Sequence, residues 1–539
     1  GRGIAQLITD GQITYVRVDS YRVLGASFPG FPVPTPFIVA VLVVALTSLL
    51  LKKTALGMYI QSVGINKRAS QLVGIKSVLI IFLTYAYCGL CSGLAGLIAS
   101  SRIYSADANN IGLNMELDAI LAVAIGGNSL GGGKFSLAGS VIGAFTIQAL
   151  TTTLYAMHVS SDQVPVYKAI VVVIIVALQS PGFARWRKSL LQKKEQERRQ
   201  HDMKGKMKLK QNSFLLLVTI LLFFIMYGIG CVLFNAQGFS KTQNFLNLFI
   251  SNAGLIVIGI GMTVVMITGG IDISVGSFVA MGCMMLAWMM EKGGIGAVPA
   301  VIIVLVTGIV FGLVQGFLVA YMDIQPFIVT LAGMFFARGM TAIISKDMIS
   351  ITNETFMAWA KMKLYLPFGG YLNKKGVMVY PYMYPTVVIA LVFLVLAFIM
   401  LKYTKFGRSI YAVGGNEQSA LMMGLNVRRV KLKAYVLDGF LCGVGSILFC
   451  LNTLGGFVEQ AKGFEMDAIA SSVIGGTLLT GGVGNVFGTL FGVLIKATIE
   501  AFITFQGTLS SWWTRITIAA LLCFFIVLQS VLAMMKKKK

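Results

Sequence analysis

Repeated apolar runs of about 20 residues constrain this chain more than any other feature of its sequence. A bilayer core of roughly 30 Å needs about 20 apolar residues per helix, and such a core admits only helices or closed barrels. The alternating ten-residue segments of a barrel do not appear. The predicted spans are Val78–Ser100, Ser136–Met157, Phe214–Phe234, Leu248–Thr268, Ala297–Ala320, Pro326–Ser345, Pro385–Leu401, Ala434–Gly456, Gly484–Phe505 and Trp512–Ala533, with the shorter Phe37–Leu51 and Val166–Ser180.

Composition excludes the competing classes. Apolar residues make up 57% of the 539 and charged residues 12%, too few charges for a soluble or disordered chain. The seven Cys lie in apolar spans, where we interpret them as packing residues, including the Cys88 and Cys91 pair, rather than as a redox or metal site. We therefore predict an all-α, polytopic transmembrane helix bundle with about 15 membrane crossings plus a partial helix.

The net charge of +24 indicates orientation rather than nucleic-acid binding. Almost all of it lies in four basic stretches, which the positive-inside rule places in the cytoplasm. Counting spans between the second and fourth stretch gives an even number, so both lie on one side and the C-terminus is predicted to be cytoplasmic. The stretches are Lys52–Lys76, Arg185–Lys210, Lys402–Lys433 and Lys536–Lys539.

An internal repeat divides the chain. Arg2-Gly3 recurs as Arg338-Gly339, and three further motifs recur at offsets of 350, 349 and 349 residues. The sequence therefore predicts two copies of one bundle. Residues 1–184 correspond to the C-terminal part of a first unit, 185–210 to a basic cytosolic linker, and 211–539 to a complete second unit. On this interpretation the first copy lacks its front half, and whether the join is a true fusion or a reading-frame artefact stays open.

The first candidate functional stretch is a predicted break between two helices. It runs through Gly269, Gly270, Asp272 and Ser274. Discontinuous helices expose backbone polar groups to a substrate in transporters, and ionisable residues between spans are functional candidates. The alternative is an ordinary turn on the cytosolic side in which Asp272 caps the next helix.

The second candidate is a duplicated acidic motif, Glu116 with Asp118 and Glu465 with Asp467. Each opens a short apolar segment that ends in two glycines. Acids at a helix N-terminus complement the helix dipole, which is a structural role. A role in the translocation pathway or its gate is the alternative.

The third candidate is a duplicated cytosolic segment, predicted as a short helix capped by Asn and ended by Gly. The alternatives are an ordinary basic loop and a docking element that couples to a soluble partner, and recurrence in both copies favours docking. The residues are Gly64, Asn66 and Gly74 in the first copy and Gly414, Gly415, Asn416 and Gly424 in the second.

Catalytic machinery is not predicted. The Gly131–Lys134 run fails the phosphate-loop pattern, because Asn128 and Phe135 stand where Gly and Ser or Thr are needed. We therefore predict a non-enzymatic chain with no catalytic residues, no metal site and no bound cofactor. Any ATP would be used by partner subunits.

These motifs resemble the ribose-type permeases of monosaccharide ATP-binding-cassette (ABC) importers. The likeness is carried by Thr268–Ser277, the Tyr411–Asn416 turn with Gly424, and Glu465–Gly476. Residues 1–184 and 211–539 look most like the two permeases of a galactofuranose importer, joined in one chain. Ala106–Asn110 and Leu117–Val123 carry that likeness in the first copy, and Leu331–Phe336 and Gly507–Trp513 in the second.

The resemblance implies an importer permease in a bacterial inner membrane that moves a monosaccharide by alternating access. It implies an ABC ATPase subunit, a periplasmic sugar-binding protein, a second permease unit and membrane lipid as partners, and no nucleic acid. The alternatives are an ion-coupled secondary transporter, an ABC permease for another sugar, and a non-transporting membrane scaffold. An ion-coupled transporter would show acids deep inside spans, whereas the acids here are expected mostly at span ends.

Overall fold

The computed structural model describes residues 1–28, 30, 32–128, 132–133, 135–180, 210–372, 378–507 and 512–535. Within them the chain forms two compact units, Gly1–Met157 and His158–Lys539, each described by itself below. The predicted linker at 185–209 and the Lys536–Lys539 tail lie outside the described residues. The division at 184 and 211 rests on the repeat and stays a prediction.

The first unit contains eight helices and one two-stranded sheet in its described part. Strands β1 (Thr14–Tyr15) and β2 (Ser105–Ala106) pair in antiparallel fashion. The helices are α1 Arg2–Ile8, α2 Asp19–Gly25, α3 Thr35–Lys53, α4 Ala55–Ile65, α5 Lys67–Leu72, α6 Ser77–Ile103, α7 Met115–Ile125 and α8 Leu137–Ala156.

The second unit is larger. Short antiparallel pairs join β3 (Ile349–Ser350) to β8 (Gly455–Gly456), β4 (Leu364–Tyr365) to β7 (Tyr382–Met383), and β5 (Tyr371–Leu372) to β6 (Met378–Val379). A 3₁₀ turn spans Asn235–Gln237. The helices of the second unit in the described residues are α9 Val164–Gln179, α10 Lys210–Leu233, α11 Thr242–Ile267, α12 Val275–Glu291, α13 Ala297–Ala320, α14 Pro326–Ile344, α15 Glu354–Lys361, α16 Pro385–Tyr403, α17 Lys405–Gly415, α18 Glu417–Met422, α19 Val427–Thr453, α20 Phe464–Ile474, α21 Val486–Gln506 and α22 Trp512–Met535.

Ten helices in the described residues are long and apolar enough to cross a membrane, and four shorter apolar helices accompany them. Helices α14 and α16 begin with Pro326 and Pro385, whose missing N–H costs nothing in the first turn. The prediction of an all-α, polytopic transmembrane bundle is confirmed.

The repeat is visible as a repeated succession of helices of matched length. Helices α3 and α16 both have 19 residues, α4 and α17 have 11, and α6 and α19 have 27. The helices that open with the acidic motif, α7 and α20, both have 11. Because each pair also keeps its order in the chain, the same local sequence signals produce the same elements in both units.

Helix α11 forms the centre of the second unit. It is buried along nearly all of its length from Asn252 onward. An apolar helix without a polar face is stable only when it is surrounded, and α11 packs against α16, α19, α20 and α21. The Thr263 hydroxyl near its C-terminal end lies 2.5 Å from the Thr489 hydroxyl of α21, so the polar group is satisfied inside the core.

One arginine in each unit secures the loop that precedes the acidic motif. Arg2 donates to the carbonyl oxygens of Ala108, Asn109 and Ile111 at 2.7–3.0 Å. Arg338 of α14 donates to those of Val458 and Gln460, both at 2.7 Å. The repeated Arg-Gly motif is therefore a loop clamp in both units, a role that sequence comparison alone did not indicate.

We expect Arg338→Met to destabilise the second unit by about 3 kcal/mol, because two carbonyl oxygens lose charge-assisted hydrogen bonds. The midpoint of thermal unfolding in detergent, followed by fluorescence-detected gel filtration, measures the effect. Arg408→Met is the control, because its bond to the Tyr403 carbonyl is exposed and longer, at 3.3 Å. Equal midpoints for the two variants would contradict the clamp.

Candidate coupling and gating site

The break predicted from the paired glycines separates two helices. Helix α11 ends at Ile267 and α12 begins at Val275. Gly269 has φ +85°, a left-handed conformation that glycine adopts without a Cβ penalty. The Thr330 hydroxyl donates to the Ile271 carbonyl at 3.1 Å, so the irregular backbone finds side-chain partners inside the protein.

The break lies directly against helix α17, the first of the two short helices in the candidate docking segment. A Cβ on Gly414 would overlap the Ile267 carbonyl oxygen, so only glycine permits this approach. The same carbonyl accepts a hydrogen bond from Gly482 N at 2.8 Å. A Cβ on Gly481 would in turn lie 2.9 Å from Gly269 N. The structure thus brings together the gate and docking residues that the sequence predicted separately.

The first unit contains the matching contact. A Cβ on Gly64 of α4 would lie 2.6 Å from Gly133 N. Gly132 and Gly133 both have positive φ, as do Gly481 and Gly482 in the second unit. A glycine on the short helix therefore meets a glycine turn in both units.

The Asn and Gly signals of the short helices act as predicted. The Asn66 side chain accepts from Ala69 N at 3.0 Å and caps α5, and the Asn416 side chain accepts from Ser419 N at 2.8 Å and caps α18. Gly74 and Gly424 end these helices with φ of +88° and +79°.

Each short helix also carries an exposed apolar tip. Leu72 at the end of α5 is 90% exposed, and Met422 at the end of α18 is 88% exposed. Gly415 differs from the tightly packed Gly414, because a Cβ on Gly415 would meet no atom within 4 Å. Their matched positions make these exposed apolar side chains a candidate contact surface in each unit.

The other side of the break is polar and buried. Ser274 donates to Asp272 Oδ1 through its backbone N at 2.7 Å and its hydroxyl at 2.5 Å. Gln315 of α13 donates from Nε2 to Ser274 Oγ at 2.8 Å. A Cβ on Gly270 would lie 2.6 Å from the Tyr435 hydroxyl oxygen. Asp272 thus faces the interior of the second unit, and Ser274 is the N-cap residue of α12.

Sequence reasoning missed the acid that completes this cluster. Asp438 lies in the interior of α19, is fully buried, and interacts electrostatically with Asp272. The expectation that acids lie at span ends is wrong for this residue. Its position inside the predicted span Ala434–Gly456 was the available signal. The repeat does not indicate this acid, because Cys88 occupies the matching position in α6.

The acidic motif forms the first turn of its helix in both units, as the dipole interpretation requires. In α20 it also has specific partners. Lys496 Nζ lies 3.4 Å from Asp467 Oδ2 and 2.7 Å from Glu500 Oε1. Glu465 places its carboxyl group against Gly276 in the first turn of α12.

In the first unit, Glu116 is exposed, while Asp118 is half-buried. The two acidic motifs therefore share a position on the helix but differ in their surroundings. Their role in a translocation pathway stays a prediction.

A cavity of about 720 Å³ in the second unit does not suit a sugar. Helices α9, α12, α13 and α14 line it almost entirely with apolar side chains. Sugar hydroxyl groups need polar partners, since burying a polar group without a hydrogen bond costs about 2–7 kcal/mol. The cavity therefore suits a lipid chain or a packed helix better than a sugar.

The fold and this site define a polytopic helical membrane protein in which short helices pack on an interrupted span. The chain belongs to the family described as branched-chain amino acid transport system / permease component, which matches residues 1–178 and 244–526. The family matches in both units.

Three curated relatives are similar in sequence to parts of the chain. The chain is 40% identical over 314 residues to the inner membrane ABC transporter permease protein YjfF of Escherichia coli K12, covering 58% of this chain and 91% of that protein. It is 48% identical over 183 residues to the galactofuranose transporter permease protein YtfT of the same organism, covering 34% of this chain and 53% of that protein. It is 32% identical over 295 residues to the ribose import permease protein RbsC, also of Escherichia coli K12, covering 55% of this chain and 88% of that protein. No solved structure matches the chain.

We expect Gly414→Ala to disturb the contact between α17 and the break, with a cost of about 1–3 kcal/mol from overpacking against backbone. Gly415→Ala is the matched control, because it adds the same atom next door where nothing lies within 4 Å. Thermal unfolding midpoints of the two variants measure the difference. Unchanged stability in both would show that the contact is loose.

Proposed function

We propose that this chain is the permease component of an ABC importer that moves a monosaccharide into the cytoplasm. The observation that carries the proposal is family membership in both units, together with relatives named as galactofuranose and ribose permeases. Galactofuranose or a similar sugar is the proposed substrate, because the relative named for it has the highest of the three identities above.

Separate ATPase subunits are the proposed energy source, and the ATP would be bound and used there. The docking surface on this chain would be the exposed tips of α5 and α18. Apolar tips flanked by basic residues such as Lys67 and Arg68 would offer both buried area and electrostatic attraction to a partner. Gly64, Gly74, Gly414 and Gly424 would shape this docking element.

Movement would pass from the docking element to the pathway through backbone contact. Helix α17 touches the end of α11 with no side chain between them, so a displacement of α17 has little slack to absorb it. The break at Gly269–Ser274 would then open or close one end of the pathway. Access to the pathway would alternate if its outer end closes when this end opens, and opens when this end closes.

The remaining partners follow from this role. A periplasmic sugar-binding protein would deliver substrate to the outer face, a second permease unit would complete the pathway, and membrane lipid would surround the spans. We place the chain in a bacterial inner membrane with its C-terminus in the cytoplasm, since the basic stretches agree with that orientation.

Uptake in reconstituted vesicles tests the proposal. Vesicles that contain this chain, the ATPase subunit and the binding protein should accumulate radiolabelled galactofuranose when ATP is supplied to the ATPase side. Ribose at the same concentration tests the sugar class. Binding without ATP-dependent uptake of either sugar would contradict an importer.

An ion-coupled secondary transporter is the second candidate, favoured by one observation. Asp272 and Asp438 are both buried, and Asp438 lies inside α19, so an acid lies within a span as in ion-coupled carriers. Uptake driven by an ion gradient in vesicles that lack the ATPase subunit would support this candidate and overturn the first.

We expect Met422→Asp to abolish capture of the ATPase subunit while leaving the fold intact, because a charge at an exposed tip blocks apolar docking without entering the core. Met348→Asp is the matched control, because Met348 is 63% exposed and lies between α14 and α15, outside the short helices of the docking segments. Pull-down of the ATPase subunit by each variant measures the effect. Equal capture by both would contradict the docking assignment, and Leu72→Asp tests the first unit in the same way.

A further inference from the structure

We propose that a polar pocket between the ends of helices α15, α16 and α19 binds the headgroup of an anionic phospholipid. This inference goes beyond the proposed transport function and does not depend on which substrate is carried. It rests on the charge of the pocket, on its depth in the bilayer and on the apolar helix surface that continues from it.

The pocket lies where three helix ends meet. Its volume of about 320 Å³ falls at the lower end of the range for ligand sites, roughly 300–1,000 Å³. Lys361 ends α15, Thr386 lies in the first turn of α16, and Asn452 lies in the last turn of α19. Lys363 and Tyr384 complete the polar lining. Unlike the large apolar cavity of the same unit, this pocket presents ammonium, hydroxyl and amide groups together.

The positive charge of the pocket is not neutralised by the described residues. In that part of the chain Lys361 and Lys363 form no ion pair and no hydrogen bond, and no acid lines the pocket. Lys363 Nζ lies 4.2 Å from the centre of the Tyr382 ring, a cation–π contact that leaves its N–H donors for a ligand. A concave site with two ammonium groups and no acid attracts an anion.

The ends of two spans place the pocket at the headgroup level of the bilayer. Helices α16 and α19 are both long and apolar enough to cross a membrane, and the pocket lies between the first turn of one and the last turn of the other. Tyr382 and Tyr384 flank it with their ring centres 5.6 Å apart. Tyrosine is enriched at the membrane–water interface, which is also the depth of lipid phosphate groups.

An apolar surface continues from the pocket along α16. Ile389, Val392 and Leu396 are exposed and follow Thr386 at helical spacing on one side of this span. A phospholipid matches both features, because it carries a phosphate at the interface and acyl chains directly beneath it. A soluble anion would match the lysines alone, and an acidic side chain of a soluble protein would not reach the exposed face below the headgroups.

Thermal unfolding of the full chain in detergent with added lipid tests the proposal. Phosphatidylglycerol should raise the unfolding midpoint more than phosphatidylcholine with the same acyl chains, because its headgroup carries a net negative charge. Lys361→Gln combined with Lys363→Gln should reduce this difference by about half or more. Both side chains are exposed, so the midpoint without added lipid should not change.

Lys292→Gln combined with Lys346→Gln is the matched control, because it removes the same charge from exposed lysines that do not line the pocket. The two control positions lie near the same end of the unit. Lys292 follows Glu291, whose Oε1 accepts from Thr352 N in the loop after α14 at 2.6 Å. The control variant should keep the full difference between the two lipids.

Two further measurements on the wild-type protein decide the question if the pocket variant does not fold. Raising NaCl from about 50 to about 500 mM should weaken the effect of phosphatidylglycerol, because salt screens the lysines. Glycerol phosphate, which has the phosphate without acyl chains, should give no comparable shift at the same concentration.

Equal effects of the two lipids, or an effect that salt leaves unchanged, would overturn the proposal. So would equal losses in the pocket and control variants. A shift of the same size with glycerol phosphate would assign the pocket to a soluble anion instead. Loss of binding-protein capture in the pocket variant with an unchanged lipid effect would assign it to an acidic protein surface, which also overturns the proposal.

Discussion

The backbone contact between helix α17 and the end of α11 is the interaction on which the rest of the second unit depends. Gly414 approaches the Ile267 carbonyl so closely that no side chain fits between them, and Gly482 donates a hydrogen bond to the same oxygen. A contact made of backbone alone transmits displacement with little loss, because it has no rotamers that could absorb the movement. It also explains why glycines cluster in three segments that lie far apart in the chain.

The break between α11 and α12 then has two distinct sides. One side touches the short helix α17 through glycine, and the other carries Asp272 into a buried polar cluster. Irregular backbone inside a membrane protein persists only where protein groups satisfy it. Here the Thr330 hydroxyl donates to the Ile271 carbonyl, and Asp272 Oδ1 accepts from Ser274 N.

Much of this organisation could be predicted from local sequence. Helix spans follow from apolar length, the caps of α5 and α18 from Asn and Gly, and the repeat from a nearly constant offset. These signals lie within short stretches of neighbouring residues, so they do not depend on which helices pack together. The two features that the sequence did not reveal depend on residues far apart in the chain. Arg338 binds carbonyl groups about 120 residues away, and Asp438 is buried in the same unit as Asp272, which lies 166 residues earlier. Nothing in a single span reports such a partner.

The sequence by itself determined that the chain is a helical membrane protein, that its units repeat, and that a short helix capped by Asn and ended by Gly occurs in both. Apolar length, period and capping chemistry are properties of neighbouring residues, so the sequence contains them directly. The tertiary structure alone decided that Gly414 meets the glycine turn, that Glu465 lies against α12, and that Asp272 and Asp438 are both buried. Those outcomes depend on which helix faces come together, and packing of the whole second unit settles that choice.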